Sequence, residues 1–305
     1  MKLLNVITKD KLSVIISLFV LILTALSVQN FYPSDDTSTK LNTKFTLFPF
    51  AINDTSTLDI KTAFFAKDPY AEFLKLKSSK NILFASSASF TSSIKSENNF
   101  PVGFCAENGE ILNKMPHQTM DGLVIISNEL QDFNSIKVID LDKTSDNCNV
   151  SECDNHFPHS NIRDNLNETY SFISAVKKYK LSGFQTQLVY TKFKSDKENF
   201  ELLFNGNNDR ARRFLAICEK DNVLHHVIVD ALNKDFLMAS AKEAIMFLRA
   251  SNYNVDFMLN LDTGSKDIMY AHDGEDFKNL RPNPITSSAK IENASSLLVY
   301  YTEKQ

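Results

Sequence analysis

The chain has 305 residues, of which 43% are hydrophobic and 23% are charged, a composition typical of a globular protein with an ample core. Its 37 acidic residues outnumber its 33 basic ones, so the formal net charge is −4. Proteins that bind nucleic acids carry a basic footprint, and this balance therefore argues against a nucleic acid as partner.

The N-terminal segment, residues 1–28, predicts that the rest of the chain is exported. Three lysines precede an uncharged run that begins at Leu12 and ends at Val28. As a helix this run would rise about 26 Å, which is marginal for a hydrocarbon core of about 30 Å. It is either a signal peptide cleaved after Ser27, with Ala25 at the −3 position, or an uncleaved signal-anchor, which its length and imperfect cleavage site favour. In both cases the lysines stay cytoplasmic, so the remainder is expected to be periplasmic or extracellular.

The chain after this segment is predicted to contain a linker and one domain. Residues 29–44 are polar and without periodicity, which is typical of a linker between a membrane and a folded domain. Residues 45–305 show no second linker and no internal repeat, and they form the predicted domain. Residues 146–167 are its longest polar interruption and are expected to be a surface insertion.

The local patterns of this domain predict many strands and few helices. Ten short apolar runs predict strands: residues 45–52, 58–65, 81–85, 102–106, 122–126, 187–191, 214–218, 224–229, 257–261 and 296–301. Helical periodicity predicts helices over residues 69–76, over residues 169–179 and from Ser240 onwards. Ser240 with Glu243 forms a capping-box pattern at the start of the third helix. Asn108 with Gly109 predicts a hairpin turn.

The order of these elements predicts the fold class. Strands come in runs and the helices are set apart from them, which favours an α+β fold over alternating βα units. We therefore expect a mixed, mostly antiparallel sheet packed against a few helices.

Four potential metal ligands lie within twelve residues of the insertion: Cys148, Cys153, His156 and His159. Zinc would accept such ligands, although zinc modules usually hold their two ligand pairs farther apart. An exported chain meets oxidising conditions, which favour a disulfide between Cys148 and Cys153 over free thiols or zinc. We therefore predict no metal site.

Cys105 and Cys218 lie in apolar runs that resemble strands, and they are expected to be core residues. His225 and His226 are neighbours on a predicted strand. Because successive side chains of a strand point to opposite faces, one of these rings should face inward and the other outward.

One acid, Asp262, directly follows the buried run of residues 257–261 and begins a polar turn. A carboxylate held at a strand end by rigid elements is well placed for catalysis. The alternative is that Asp262 only caps the turn through its own backbone, as aspartate often does.

Four segments resemble signatures of the phosphodiester glycosidase family, which comprises uncovering-enzyme-like domains. Residues 255–265, with Asn260-Leu261-Asp262-Thr263-Gly264-Ser265, resemble its "Asn-Leu-Asp-Gly-Gly-x-Ser" signature. The other three are residues 100–109, resembling "Pro-Val-Gly-Leu…Asn-Gly"; residues 185–189, resembling "Gln-Ser-Gly-Pro-x-Leu-Val"; and residues 212–217, resembling "Arg-x-x-x-Gly". The segments occur in the family's order, and the similarity spans residues 55–302.

The resemblance implies an exported glycosidase that hydrolyses a sugar-1-phosphodiester, or a related glycan linkage, without a cofactor. It implies that Asp262 is the catalytic carboxylate, that Asn260 orients it, and that Arg212 binds the phosphate in a bidentate manner. The implied substrate-binding residues are Gly264, Ser265, Ser87, Ser89 and Gln185. The expected partners are this carbohydrate substrate and, through the N-terminal run, a membrane.

Two features leave alternatives open. Ser87-Ala88-Ser89 stands where the family has Asn-Gly-Gly, and Thr263 replaces the first glycine after the aspartate. A side chain in place of glycine narrows a site or reshapes a loop, which favours a second reading: a catalytically degenerate member that binds glycans or scaffolds an envelope. Arg212 could also pair with Asp209 at the surface.

A second catalytic carboxylate is not identified by the sequence. Its candidates are three residues: Asp230, Asp256 and Asp267.

Overall fold

A computed structural model describes residues 44–52, 59–91, 101–129, 135–142, 162–163, 166–201, 210–263, 267–273, 276–280 and 290–304. All of these residues belong to one compact unit, Lys44–Gln305. The strands in chain order are β1 (Phe45–Ile52), β2 (Lys61–Phe65), β3 (Lys80–Ser86), β4 (Cys105–Glu107), β5 (Glu110–Asn113), β6 (Gly122–Ser127), β7 (Ser135–Asp140), β8 (Ser182–Thr191), β9 (Arg210–Lys220), β10 (Val223–Asp235), β11 (Asn254–Leu261), β12 (Met269–Asp273), β13 (Asp276–Asn279) and β14 (Leu297–Glu303). The helices are α1 (Pro69–Ser79), α2 (Leu166–Lys178), α3 (Asp196–Glu201) and α4 (Leu237–Ala250).

The described strands form two sheets. The larger has nine strands in the order β1-β10-β9-β11-β8-β4-β5, with β6 pairing with both β8 and β7. The smaller has five strands in the order β13-β12-β3-β14-β2. Every ladder between described strands is antiparallel. The expected α+β class with a mostly antiparallel sheet is thereby confirmed.

Aromatic side chains fill the space between the two sheets. Phe50 of β1 stacks on Tyr300 of β14 with ring centroids 4.0 Å apart, and Phe64 of β2 stacks on Phe184 of β8 at 4.8 Å. Each contact joins one sheet to the other. Rings of this size bury large apolar areas, so this layer contributes a major part of the hydrophobic stabilisation.

The opposite face of the larger sheet packs against helix α4. The helix buries five apolar side chains there: Leu237, Ala241, Ala244, Ile245 and Leu248. They meet residues such as Phe214 and Ala216 of β9, whereas Leu215 between them faces the inter-sheet layer. Because both faces of β9 are covered, its sequence reads as a continuous apolar run rather than an alternating one.

Most predicted elements are present. Each of the ten predicted runs overlaps a strand, and residues 45–52 coincide with β1. The predicted hairpin joins β4 to β5, where Asn108 and Gly109 take φ angles of 48° and 83°. The strands β7, β12 and β13 and the short helix α3 are not among the predicted elements.

The predicted capping box of the third helix is wrong. Helix α4 begins at Leu237, three residues before Ser240, and Phe236 occupies the N-cap position. Ser240 lies on the buried stripe of the helix instead of at its end. Glu243 forms an ion pair with Lys44, which precedes β1.

The predictions for single core residues are confirmed. His226 is buried and His225 is half-buried, so the two rings face opposite sides of β10. Cys105 and Cys218 are buried free thiols. Burial raises the pKa of both thiols, so neither is a reactive thiolate.

Several other predictions fall on residues that the structure does not describe. The run from Leu12 to Val28 lies outside the described residues, and none of the described helices has the length and apolar character needed to cross a membrane. The four candidate ligands of the insertion, from Cys148 to His159, also lie outside them. Within the described ranges, no group of three or more His, Cys, Asp or Glu side chains could hold a metal ion.

Candidate functional site

The candidate site lies where strand β3 of the smaller sheet and strand β11 of the larger sheet end. Asp262 directly follows β11, and its backbone N–H donates a hydrogen bond of 3.0 Å to the carbonyl of Ala88. Ala88 lies between Ser87 and Ser89, just after β3. Asp262, Ser87 and Ser89 are all buried. The structure therefore brings the backbone of Asp262 into contact with the Ser87-Ala88-Ser89 segment.

The serine segment is fixed by hydrogen bonds to two further chain segments. The Ser87 N–H donates to the carbonyl of Ile268 at 3.1 Å, and the Ile268 N–H donates to Ser87 Oγ at 3.2 Å. Ser89 Oγ donates to Ser296 Oγ at 2.8 Å, and the Ser89 N–H donates to the same oxygen at 3.0 Å. Reciprocal bonds of this kind leave the segment little freedom to move.

Arg213 supports this arrangement from the inter-sheet layer. Its side chain is fully buried, and Nη1 donates to the same Ile268 carbonyl at 2.9 Å. Nη2 lies 2.5 Å from Asp267 and 3.5 Å from the buried carboxylate of Asp230. A buried guanidinium is stable only when it is paired and hydrogen-bonded, and these contacts provide partners for Nη1 and Nη2.

Arg212, the predicted phosphate ligand, lies on the opposite face of β9. The last ladder pair of β9 and β11 is Arg213 with Leu261, and Thr263 Oγ1 donates to the carbonyl of Ala211 at 2.6 Å. Asp262 lies between these two contacts, so it is level with Arg212 on the neighbouring strand. Arg212 is half-buried.

The charge of Arg212 is partly destabilised by its surroundings. Burial lowers the pKa of its guanidinium and the nearby charge of Arg210 acts in the same direction, whereas Asp235 raises it. An arginine in such a place gains from an additional anionic partner, because an anion would compensate both the burial and the like charge.

Asn260 connects the site to strand β8. Its side-chain amide donates to Gln187 Oε1 at 2.8 Å, and its carbonyl accepts a hydrogen bond from the hydroxyl of Thr186. The amide contact therefore links β11 to β8 at Asn260, which lies two residues before Asp262. Gly264 and Ser265 lie outside the described residues, so their assignment to the substrate stays a prediction.

Gln185 is fixed within the scaffold. Its Oε1 accepts from the N–H groups of Phe104 at 3.1 Å and His117 at 2.7 Å. Its Nε2 donates to the carbonyls of His117 at 2.8 Å and Met120 at 2.6 Å. A Cβ at Gly103 would lie 2.5 Å from Gln185 Oε1, which explains the glycine at that position. None of these contacts reaches Asp262, and a role of Gln185 in substrate binding stays a prediction.

The structure separates the three candidates for a second carboxylate. Asp230 and Asp267 both contact Arg213, beside the Ser87 segment. Asp256 pairs with Lys192 at 3.0 Å, nearer the other end of β11. Sequence patterns did not identify Arg213 or Ile268. Because both faces of β9 are apolar, the sequence does not show which of the adjacent residues Arg212 and Arg213 faces the inter-sheet layer.

Comparisons with known proteins give weak likenesses. No protein-family profile matches the sequence, and no curated protein matches it. One similar structure is the catalytic domain of zebrafish N-acetylglucosamine-1-phosphodiester alpha-N-acetylglucosaminidase, in a form auto-inhibited by its pro-peptide. The TM-score is 0.43 and the sequence identity is 12%, and the alignment covers 85% of this chain and 83% of that chain. A hypothetical protein from Synechocystis is similar with a TM-score of 0.40, 11% identity, 86% of this chain and 57% of that chain covered. With TM-scores below 0.5, neither likeness carries an argument about function.

Proposed function

We propose that the protein is an exported glycosidase that hydrolyses a sugar-1-phosphodiester or a related glycan linkage, with Asp262 as its carboxylate. One observation carries the proposal. The backbone bond to Ala88 holds Asp262 at the end of β11, level with Arg212 on the adjacent strand. A carboxylate and a guanidinium on neighbouring strand ends are the two groups that such a substrate requires.

The proposed reaction breaks the bond between the anomeric carbon and the phosphate oxygen. Water provides the new hydroxyl group, its proton passes to Asp262 and then to solvent, and the phosphomonoester leaves with the electron pair. Arg212 binds the phosphate oxygens as their charge develops. Asp262 also stabilises the positive charge that forms at the anomeric carbon.

The residues around this pair have positioning roles in the proposal. Asn260 connects β11 to β8, and Ser87 and Ser89 form the wall beside Asp262. Arg213 positions this wall because it shares the Ile268 carbonyl with Ser87. Gly264 and Ser265 are proposed to contact the substrate from the turn that follows. Neither a cofactor nor a metal ion is part of the proposal.

A specific observation favours a second candidate, a catalytically degenerate module that binds a glycan. The hydroxyl of Ser89 is buried and bonded to Ser296, so it is occupied within the protein. Ser87 likewise bonds to Ile268. Ala88 and Ser89 stand where the family has glycines, and side chains at these two positions reduce the room for a substrate.

The test compares Asp262→Asn and Arg212→Lys with wild type on a panel of sugar-1-phosphodiesters. Each change should lower turnover by about 10²-fold or more, equivalent to about 2.7 kcal/mol of transition-state stabilisation. A lysine cannot reproduce a bidentate phosphate contact, so Arg212→Lys should also weaken the reaction. The matched control is Asp256→Asn, because this aspartate lies on the same strand but pairs with Lys192.

Melting temperatures measured in parallel separate catalysis from folding. If Asp262 only caps a turn, Asp262→Asn should cost about 1 kcal/mol of stability and leave turnover unchanged. If the wild-type protein cleaves none of the phosphodiesters but binds glycans, the glycosidase hypothesis is wrong and the hypothesis of a glycan-binding module takes its place.

A further inference from the structure

A polar cavity of about 240 Å³ lies between the loop before β6, the end of β7 and helix α3, and its lining includes neither Asp262 nor Arg212. Nine of its ten lining residues are polar or charged, and Leu188 is the exception. Leu188, Thr191 and Asn199 are buried and form the floor. Its volume is below the roughly 300–1,000 Å³ of pockets for drug-sized ligands, so the cavity suits one small polar unit.

The cavity has a rigid rim. The Arg163 guanidinium donates to the carbonyl of Leu141 at 2.9 Å and to Asp142 at 2.5 Å, and it reaches the carbonyl of Gln118 at 3.3 Å. It therefore joins the end of β7 to the loop before β6. On the floor, the Asn199 amide donates three hydrogen bonds and accepts one. Arg163 and Asn199 consequently hold the shape of the cavity.

Two other side chains offer groups to a ligand. The Lys194 ammonium lies 3.7 Å from Asp140 and 3.8 Å from Asp142, both longer than a hydrogen bond, so its donors can still reach a ligand. Asp121 uses Oδ1 to accept the Leu188 N–H at 2.8 Å. Burial raises the pKa of Asp121 to about 6, with Asp142 and Asp140 adding to the effect. Near neutral pH this carboxyl group can accept a hydrogen bond, and at lower pH it can donate one.

The charges of the cavity point to a neutral ligand. Three acids and two bases line it, so the net charge is −1 when Asp121 is ionised and zero when it is protonated. The carboxylates would repel an anion, and Arg163 and Lys194 would repel a divalent cation. A neutral polyhydroxyl compound instead uses donors and acceptors together, as these side chains provide them.

We propose that this cavity binds the ring of one neutral sugar through hydrogen bonds of its hydroxyl groups with Asp121 and Lys194. The site is separate from the catalytic assignment and does not depend on it. Hydroxyl groups that donate to an ionised carboxylate make charge-assisted bonds, which are stronger than neutral ones.

Calorimetric titration of the purified full chain tests this assignment, with glucose, galactose, mannose and N-acetylglucosamine as probes. Inorganic phosphate and calcium chloride serve as the anionic and cationic alternatives. At least one sugar should bind saturably, and Asp121→Asn and Lys194→Met should each weaken it tenfold or more. The matched controls are Asp256→Asn and Lys192→Met, an ion pair outside the cavity, and they should leave the affinity unchanged.

Asp262→Asn should bind the same sugar as wild type, which distinguishes this site from the proposed catalytic one. Melting temperatures of all variants show whether any loss of binding comes from unfolding. Failure of every sugar to bind overturns the proposal. Binding of phosphate or calcium in place of sugar, weakened by the cavity variants, overturns it as well, and so does sugar binding that only Asp262→Asn removes.

Discussion

The two adjacent arginines of β9 have different environments because successive side chains of a strand point to opposite faces. Arg213 points into the inter-sheet layer, where it is fully buried between Asp230 and Asp267. Arg212 points to the other face and is half-buried. A buried ion pair rarely adds much stability of its own, but removal of one partner leaves an uncompensated charge. Arg213 is thus suited to holding a fixed structure, whereas the ligand-binding role of Arg212 stays a prediction.

The burial of His226 has a clear consequence for how the stability of the protein depends on pH. Its ring is fully buried, and neither nitrogen has a hydrogen-bond partner among the described residues. The ring packs edge-on against Tyr300 at 6.0 Å. Burial, together with a smaller effect of the neighbouring His225, lowers the pKa of His226 to about 3. The folded protein therefore keeps this imidazole neutral.

This burial predicts a loss of stability in acid that depends on His226. Between the ordinary pKa of about 6.5 and the folded value of about 3, the unfolded chain binds one proton that the folded chain does not. Stability therefore falls as pH falls through this window, by about 1.4 kcal/mol per pH unit from this residue. His226→Phe keeps a ring against Tyr300 and should remove that part of the slope.

Urea unfolding at several pH values between 7 and 4.5 measures the effect. The free energy of unfolding of His226→Phe should decrease less steeply than that of wild type. His225→Gln is the comparison: burial, the larger cause of the low pKa of His226, remains in this variant, so most of the wild-type slope should remain as well. Parallel slopes for wild type and His226→Phe would show that the buried ring does not set the acid response.

At the scale of elements, helix α4 shows how a local signal loses to tertiary packing. Ser240 and Glu243 match a capping box, yet the apolar stripe continues to Leu237 at the preceding turn. Burying Leu237 against the larger sheet outweighs the gain from a side-chain cap, which is typically about 1 kcal/mol. Glu243 is then available for its ion pair with Lys44.

The position of Ser240 predicts that Ser240→Ala stabilises the protein. Its hydroxyl is buried and has no hydrogen-bond partner among the described residues. Alanine removes that unsatisfied group and is the better helix former, so a gain of about 0.5–1 kcal/mol is expected. If Ser240 capped the helix, the same change would instead lower the stability of the protein by about 1 kcal/mol.

Chemical denaturation of wild type and Ser240→Ala decides between the two signs. Ser251→Ala is a useful comparison, because Ser251 lies at the other end of the helix and its hydroxyl donates to the Phe247 carbonyl at 2.9 Å. That change removes a satisfied bond and should destabilise the protein. A stability loss for Ser240→Ala would mean that the serine contributes a favourable contact.

At the scale of the whole molecule, the sequence predicts elements better than it predicts their partners. The β4–β5 hairpin was predictable because Asn108 and Gly109 are a local signal, and Gly109 sits in the left-handed region. The pairing of β3 with both β14 and β12 was not, since these strands lie far apart in the chain. No periodicity encodes such a pairing; it follows from how the two sheets bury their aromatic faces.

The same limit applies to the candidate site. Asp262 and the Ser87 segment could be proposed from short motifs, because each is local in sequence. Their contact through the Ala88 carbonyl joins residues that are more than 170 positions apart, and only the packed sheets create it. Arg213 was missed for the same reason. Its partners Asp267 and Ile268 belong to a loop whose position depends on the smaller sheet.

The N-terminal apolar run predicts how the folded unit is attached to its cell. The apolar run from Leu12 to Val28 follows three lysines and has a poor cleavage site, so we predict that it stays in place as a membrane anchor. The protein should fractionate with membranes, whereas a chain that begins at Lys44 should not, because the compact unit of Lys44–Gln305 lacks the run. N-terminal sequencing of the mature protein provides the decisive measurement. A mature chain that begins at Val28 would exclude the anchor and establish a cleaved signal peptide, because cleavage after Ser27 removes all but the last residue of the run.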